Sequence, residues 1–241
     1  MPLTLAPITK ADTISWTRIR AVAYLGPTHE LVHSGKPISE TSILGVAEER
    51  KKEVGQPNNW QFKIVDTDLS PSDGDPADNG GKTIAIAVWS AHNINLTRDG
   101  SKEPSENHEP TTNPAEADVG EQSPSFLPPE VNLKVLSALL GPLREAETGI
   151  IGTKPYLMLN SLATLPEHRR RGAAKILINW GLDKADTADL PLYLTATEEA
   201  KPLYEKCGFK LERSIEFNRE VWGGEGSDWH YCMIRHPMAK K

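Results

Sequence analysis

The sequence predicts an α/β fold built on a mixed sheet. Residues 156–164 alternate along a strand whose two faces are both largely apolar, which is typical of a strand covered by helices on both sides. After Gly172 the apolar residues follow a helical period as far as Ala185. Short apolar strands and helices alternate through much of the remaining chain, and this order favours an α/β sheet protein.

The other elements follow from the spacing of apolar residues and from Gly and Pro. Asp12 is a suitable N-cap for the first helix, and Gly26-Pro27 ends that helix. Thr28–Thr41 is rich in polar residues and predicts an exposed loop. The predicted order is a strand at 3–7, helices at 13–25 and 42–53, strands at 60–65 and 83–91, a helix at 130–147, the strand at 156–164, a helix from 169, a strand at 191–196, a helix at 197–207, and strands at 209–217 and 229–235.

Two stretches of low complexity interrupt these elements. Ser70–Gly81 holds one Ala among Ser, Pro, Asp, Gly and Asn, and Arg98–Ser123 has Val119 as its only branched aliphatic residue. Such segments cannot bury enough apolar surface to offset the entropy of ordering. We expect a mobile loop at the first stretch, and at the second a solvated tether in preference to a partner-binding segment. The chain is then one domain, 1–241, with insertions at about 70–81 and 98–123.

Composition and charge narrow the class of protein. The chain has 241 residues, 38% of them hydrophobic, and a net charge of −6, which disfavours broad binding to nucleic acid or to an anionic membrane. Met1–Ile14 lacks a signal-peptide core and no stretch approaches the ~20 apolar residues of a membrane span, so we expect a cytoplasmic protein. Cys207 and Cys232 match neither a disulfide framework nor a zinc pattern, which predicts buried free thiols and no metal.

The junction after residues 156–164 has the chemistry of an anion site. The first N–H groups of a helix have no partner within it and lie at the positive end of its dipole. Gly172 lets a ligand approach without a Cβ in the way. Arg169, Arg170 and Arg171 add positive charge, and we expect the helix to start at them. Pyrophosphate fits this arrangement, and a solvated basic turn that caps an ordinary helix is the alternative.

Two motifs resemble the GNAT N-acetyltransferase superfamily. The spacing Arg169-x-x-Gly172-x-Ala174 is similar to its acyl-coenzyme A signature, Q/R-x-x-G-x-G/A, and the segment Leu-Tyr-Glu-Lys-Cys-Gly-Phe around Tyr204 resembles its Y-x-x-x-G-F segment. One helix, one strand and one short helix separate the motifs, as the family requires. The resemblance implies a mixed, mostly antiparallel central sheet with a parallel central strand pair and helices on both faces. Thr197, where the family often has Asn, departs from the pattern and leaves the hydrogen bonding of the pantetheine less defined.

The resemblance also implies an activity: transfer of an acetyl group from acetyl-CoA, the co-substrate, to a primary amine that attacks it directly. Backbone N–H groups of the central strand would hold the pantetheine arm and polarise the carbonyl. The segment with the three arginines, residues 169–171, which we call the arginine turn, would hold the pyrophosphate. Tyr204 would protonate the leaving thiolate. The alternative is that Tyr204 is only a packed aromatic side chain on a helix. The implied cofactor-binding residues are Leu162, Ala163, Thr164, Arg169, Arg170, Arg171, Gly172, Ala173 and Ala174.

The sequence does not identify the molecule that accepts the acetyl group. We expect a small-molecule amine and a monomer or homodimer; transfer to a protein N-terminus or lysine, or a CoA-binding module without transfer, are the alternatives. Asn160 cannot accept the proton of the amine but can position a water. The candidate proton acceptors, each of which can equally be a solvated loop group, are His29, Glu30, His33 and Glu167. Trp222, Trp229 and His230 either contact an apolar acceptor or pack in the core and rim.

Overall fold

The fold is given by a computed structural model that describes residues 2–96 and 126–238. Within these residues the strands are β1 Leu3–Pro7, β2 Asn59–Asp66, β3 Lys82–His92, β4 Tyr156–Thr164, β5 Leu192–Thr197, β6 Lys210–Asn218 and β7 Ser227–Arg235. They form one sheet in the order β1-β2-β3-β4-β5-β7-β6. Neighbouring strands are antiparallel except for β4 and β5, which are parallel. The predicted mixed sheet with a parallel central pair is confirmed.

Helices cover both faces of the sheet, as expected. Their bounds are α1 Thr13–Ala23, α2 Pro27–Val32, α3 Glu40–Glu53, α4 Leu133–Ile151, α5 Ala173–Ala188 and α6 Lys201–Lys206. The alternation of β3 shows how the two layers are filled: Ile86 and Val88 pack on the α1 side, whereas Trp89 packs with the α5 side. Because β3 is buried on both faces, its sequence is almost continuously apolar.

Three local predictions differ from the structure. The loop expected at 28–41 contains α2, which begins at Pro27, and a proline at the first helical position is favourable because its missing N–H is not needed there. α5 begins at Ala173, so the arginines lie in the turn before the helix and not inside it. α6 begins only at Lys201, because residues 198–200 form a turn.

The loop at 70–81 contains neither helix nor strand, but polar contacts tie it to the body of the protein. Asn79 Nδ2 donates to Gly81 O at 2.7 Å and to Thr83 Oγ1 at 3.0 Å, and Arg18 Nη1 donates to Asp73 O at 2.6 Å. Mobility of this loop stays a prediction, which rested on the lack of apolar side chains and did not include these bonds. The insertion expected at 98–123 lies outside the described residues.

Cys232 is buried as expected, whereas Cys207 is only partly buried, and both are free thiols. Across residues 2–96 and 126–238, every helix is too short or too polar to span a bilayer. The same residues hold no cluster of three or more His, Cys, Asp or Glu side chains that could bind a metal ion.

Candidate active site

The two parallel strands separate at the centre of the sheet. β4 pairs with β5 only from Leu157 to Leu159, yet β4 continues to Thr164. Beyond Leu159, the edge of β4 that faces β5 is therefore left without a paired strand, and its backbone groups border a wedge-shaped gap. Unpaired backbone N–H and C=O groups need other partners, so this gap suits a ligand with an amide backbone of its own.

A β-bulge lies at the opening of the gap. Leu159 of β4 is opposite Trp89 of β3 and Ser161 is opposite Val88, which leaves Asn160 as the extra residue. A bulge strengthens the local twist and changes the direction of side chains, and it is common beside active sites. Here it coincides with the point where β4 parts from β5.

The Asn160 side chain is held by a polar chain that sequence analysis missed. Asn160 Nδ2 donates to Ser90 Oγ at 2.8 Å, and Ser90 Oγ lies 2.7 Å from His92 Nε2. Burial lowers the pKa of His92, despite the opposing effect of Glu147, so the ring is neutral and can accept the Ser90 proton. The Asn160 carbonyl oxygen keeps no partner among the described residues. The signal was available in the sequence: Ser90 and His92 interrupt an otherwise apolar strand.

The three residues expected to hold the pantetheine arm lie along the gap. Leu162 and Thr164 are half-buried, and Ala163 is buried on the α1 side of the sheet. Tyr24, just after α1, donates from its hydroxyl to Leu162 O at 3.4 Å, and that hydroxyl lies 3.2 Å from Ser161 Oγ. Tyr24 therefore borders the gap from the α1 side.

The N-terminus of α5 is open. Gly172 is the N-cap residue, its φ is +89°, and no side chain caps the helix. A Cβ built on Gly172 would meet no protein atom within 4 Å. The first N–H groups of α5, including those of Ala173 and Ala174, therefore have no capping partner among the described residues.

Arg171 is committed to a structural role. It donates from Nη2 to Asp66 Oδ2 at 2.5 Å, and its Nη1 lies 2.8 Å from His168 Nδ1. Asp66 is almost fully buried at the end of β2, so Arg171 fixes the turn before α5 to the sheet. Its guanidinium is thus less available to a phosphate than sequence reasoning assumed.

Arg169 and Arg170 are both exposed, in different surroundings. Arg169 Nη1 lies 3.2 Å from Glu199 Oε1, and its Nη2 donates to Ala23 O at 3.4 Å. Arg170 has φ +62° and makes no hydrogen bond or ion pair with the residues that the structure describes. The turn thus offers one uncommitted cation next to the open helix end.

Tyr204 lies on α6, across the gap from Tyr24. Its ring is 6% exposed and packs edge-on against Phe209, with centroids 5.8 Å apart. Burial raises its pKa, and the nearby Tyr24 phenol and Cys207 raise it further, so the hydroxyl is protonated at neutral pH. In the described part of the chain that hydroxyl has no hydrogen-bond partner.

A cavity of about 210 Å³ lies between α1, α2 and α3, next to Tyr24. His29 and His33 line it, with their rings stacked 4.2 Å apart, and burial lowers the pKa of both. Two of the four candidate proton acceptors are thus near the gap. Glu30 is exposed, and Glu167 pairs with Lys82 at 3.3 Å on the arginine turn.

The aromatic residues near the C-terminus divide between packing and exposure. Trp222 packs in a cluster with Val32, Val135 and Phe217, which supports the packing role for it. Trp229 is 41% exposed. His230 is half-buried, its Nε2 atom is buried without a partner, and burial lowers its pKa.

The sheet and the site together define a class: an α/β fold in which two central parallel strands part beside an open helix N-terminus. Residues 140–211 match the family model described as "Acetyltransferase (GNAT) domain". The resemblance inferred from the two motifs is thus confirmed for this part of the chain, which includes both Gly172 and Tyr204.

Individual relatives are distant. The chain is 34% identical over 65 residues to the probable acyltransferase SID5 of Ajellomyces capsulatus, an alignment that covers 27% of this chain and 48% of that protein. The chain thus spans about half the length of this curated relative. Arylalkylamine N-acetyltransferase 2 from Aedes aegypti has the same fold, with TM-score 0.60, 12% identity and coverage of 98% and 99%. A Corynebacterium glutamicum structure described as histone acetyltransferase HPA2 and related acetyltransferase has TM-score 0.53, 16% identity and coverage of 100% and 99%.

Proposed function

We propose that this protein is an N-acetyltransferase that moves an acetyl group from acetyl-CoA to the primary amine of a small molecule by direct attack. One observation carries the proposal: the gap between β4 and β5 lies beside the uncapped N-terminus of α5 and beside the buried, protonated Tyr204. An anion site, an unpaired strand edge and a proton donor are the three features that an acyl-CoA thioester requires.

The residues around the gap fit acetyl-CoA in the proposed roles. The free backbone edge at Leu162–Thr164 would bond the pantetheine amides, and the N–H groups of Gly172, Ala173 and Ala174 would hold the pyrophosphate. Arg170, which lacks a described partner, is the arginine best suited to a phosphate; Arg169 and Arg171 would mainly shape the turn. The co-substrate supplies the thioester carbonyl that the amine attacks.

In the proposed reaction, the amine nitrogen forms a bond to the thioester carbon, and the tetrahedral intermediate then collapses and breaks the carbon–sulfur bond. Backbone N–H groups of the bulged strand would stabilise the oxyanion. Tyr204 would give its proton to the departing sulfur. Its raised pKa makes it a weaker acid, but the thiolate expelled into the same buried gap is also desolvated and therefore more basic.

The proton of the amine needs a separate route. Ser90 and His92 orient the Asn160 amide, and this leaves its carbonyl oxygen free to accept a hydrogen bond from the amine or from a water. An amide cannot take the proton itself, so Asn160 would be a positioning residue. His29 and His33 are neutral, line the neighbouring cavity, and are the side chains best placed to accept the proton directly or through water.

A small acceptor is favoured by the size and position of this cavity. It is a partly open cavity of about 210 Å³ between three helices and adjoins Tyr24, and its small volume suits a small molecule better than a protein surface.

The test is an acetylation assay with acetyl-CoA and a panel of primary amines, next to peptides with a free N-terminus or lysine. We expect thiol release that depends on a small amine, and a product that mass spectrometry shows to carry one acetyl group. Preferred acetylation of the peptides would instead assign a protein substrate. Binding of acetyl-CoA without transfer to any member of the panel would indicate a non-catalytic CoA-binding module.

A further inference from the structure

The cavity between α1, α2 and α3 contains cationic donors that nothing in the described chain satisfies. Arg50, on α3, is 7% exposed, and its Nη1 atom is buried without a hydrogen-bond partner. Arg20, on α1, lines the same cavity, and its Nε atom is also buried and unpartnered. His33 also lines the cavity, and its buried Nδ1 atom has no partner; because the ring is neutral, this nitrogen can either donate or accept.

The acidic side chains nearby do not compensate these donors. Glu53 acts electrostatically on Arg50 and Arg20, but no described carboxylate lies within 4.0 Å of either guanidinium. Glu130 is already used, since it accepts from Ser39 N at 2.9 Å and from Ser42 Oγ at 2.7 Å. A buried donor that lacks an acceptor destabilises the fold, so these groups are expected to meet an acceptor in the working protein.

The environment of Arg50 is that of a cation without its counter-charge. Its guanidinium carbon lies 4.4 Å from the centre of the Trp16 ring, a stacking contact that leaves the edge donors free. Burial and, to a lesser degree, the neighbouring Arg20 outweigh the opposing effects of Glu53 and Tyr24 and lower the pKa of Arg50 to about 9, whereas an ion-paired arginine shows the opposite shift. The residue is still charged at pH 7.

Tyr24 connects this cavity to the proposed reaction centre. Its side chain lines the cavity, and its hydroxyl contacts Ser161 Oγ and Leu162 O where β4 is bulged. An acceptor whose amine lies at Asn160 would therefore extend past Tyr24 toward Arg20 and Arg50. The far end of the acceptor, not its amine, would meet the two guanidinium groups.

We infer that the cavity binds a carboxylate at the far end of the acceptor, with Arg50 Nη1 and Arg20 Nε as the principal donors. This inference rests on the proposed function and names its substrate class: amino carboxylic acids in which several bonds separate the amine from the carboxylate. Arginine donors suit a carboxylate because they are planar and permanently charged. The same two charges repel the second ammonium group of a diamine or polyamine.

The test compares ω-amino acids of increasing chain length with alkylamines and diamines of the same length. We expect one chain length of the amino acid series to exceed its alkylamine in kcat/KM by about 10- to 100-fold, the range for a charge-assisted contact. Diamines should be the poorest acceptors. Equal kcat/KM for amino acids and alkylamines at every length would overturn the inference.

Variants separate the two arginines from a general charge effect. Arg50→Gln and Arg20→Gln should each reduce the acid-to-alkylamine ratio of kcat/KM by about tenfold or more, mainly through KM for the acid. Lys51→Gln removes one charge from the neighbouring, exposed position of α3 and should leave that ratio unchanged. Arg20→Gln decides the matter if Arg50→Gln does not fold. An unchanged ratio in both arginine variants would contradict the inference.

A binding measurement keeps this inference separate from the proposed function. Calorimetric titration of the best ω-amino acid into the protein should show binding that Arg20→Gln weakens and Lys51→Gln does not. If no acceptor is acetylated but this pattern of binding appears, the proposed function fails and the carboxylate site stands. Acetylation of alkylamines, with no binding preference for the amino acids, gives the reverse outcome.

Discussion

Tyr204 is the side chain whose chemistry can be tested most cleanly. Because its hydroxyl has no described partner, Tyr204→Phe removes one proton donor and keeps the ring that packs on Phe209. We expect turnover to fall by about 10²- to 10⁴-fold, the usual contribution of a positioned acid, with KM for acetyl-CoA changed much less. Steady-state kinetics with a good acceptor provide the measurement.

The unfolding temperature and CoA affinity of Tyr204→Phe serve as its controls, and both should match those of the parent protein. If turnover stays within a factor of about three of the parent value, Tyr204 is a packing residue, and a solvent water becomes the acid.

Asp66 makes the stability of the arginine turn depend on pH. Burial alone would raise its pKa, but hydrogen bonds from Arg171 and from the Asp68 N–H lower it below the ordinary value. The contribution of Asp66 is therefore fully present above the ordinary pKa of ~3.9 and is lost as the pH falls through the lower folded-state pKa. Asp66→Asn should lower the melting temperature at pH 7, and the difference from the parent should shrink below about pH 4.

Asp68→Asn is the matched control, because it removes an exposed carboxylate two residues away and keeps the backbone N–H that bonds to Asp66. Melting curves from pH 7 to pH 3 show the effect. A constant difference between Asp66→Asn and the parent across this range would mean that Arg171 does not lower the pKa of Asp66.

The open end of α5 is the element on which CoA binding is proposed to depend. In Gly172→Val, a branched side chain would occupy the path to the first N–H groups and would be forced into φ +89°. Because the side chain would obstruct these N–H groups, we expect the dissociation constant for CoA to rise by at least about tenfold, whereas the backbone strain of roughly 1–2 kcal/mol should lower the stability of the fold.

Gly55→Val is the control for backbone strain. Gly55 has φ +85° and equally open surroundings, and it follows α3, far from Gly172 in the sequence. This variant should lose stability and keep its affinity for CoA. Similar affinity losses in both variants would show that backbone strain, and not obstruction of the N–H groups of α5, weakens CoA binding.

The packing of α5 on β3 depends on a second glycine. A Cβ on Gly181 would lie 2.3 Å from the Trp89 ring, so Gly181→Ala forces the helix away from the sheet. Overpacking of this kind costs about 1–3 kcal/mol in the free energy of unfolding. Gly149→Ala, inside α4 with only the Arg213 guanidinium in ordinary contact at 3.7 Å, should instead stabilise by about 0.5–1 kcal/mol. Urea unfolding of both variants measures the contrast, and equal effects would contradict this packing.

The order of strands and main helices could be predicted because each buries its own periodic set of side chains. The continuous apolar run of β3 and the strand-to-helix change at Gly172 are local signals. α2 was missed because its six residues are mostly polar and half-exposed, so that contacts, and not periodicity, hold it in place. The contacts of the 70–81 loop likewise depend on Arg18, a residue distant in sequence.

The site was predictable only where one segment supplies it. Gly172 and Tyr204 lie in recognisable motifs, so sequence spacing identified them. The cavity is lined by Tyr24, Arg20 and Arg50, which come from two helices that meet only in the folded chain. From sequence alone, a single arginine on a helix is ordinarily interpreted as an exposed surface residue. The separation of β4 and β5 is equally a tertiary property, because nothing in either strand alone states where their pairing stops.

Calorimetric titration with CoA tests most directly whether the gap between β4 and β5 and the open end of α5 form a CoA site. We predict one binding site per chain and, at a CoA concentration 100 times the dissociation constant, a stabilisation of about 2.7 kcal/mol that also raises the melting temperature. Gly172→Val should lose most of this binding. The absence of binding heat and of any thermal shift in the parent protein would contradict the assignment of the gap as a CoA site.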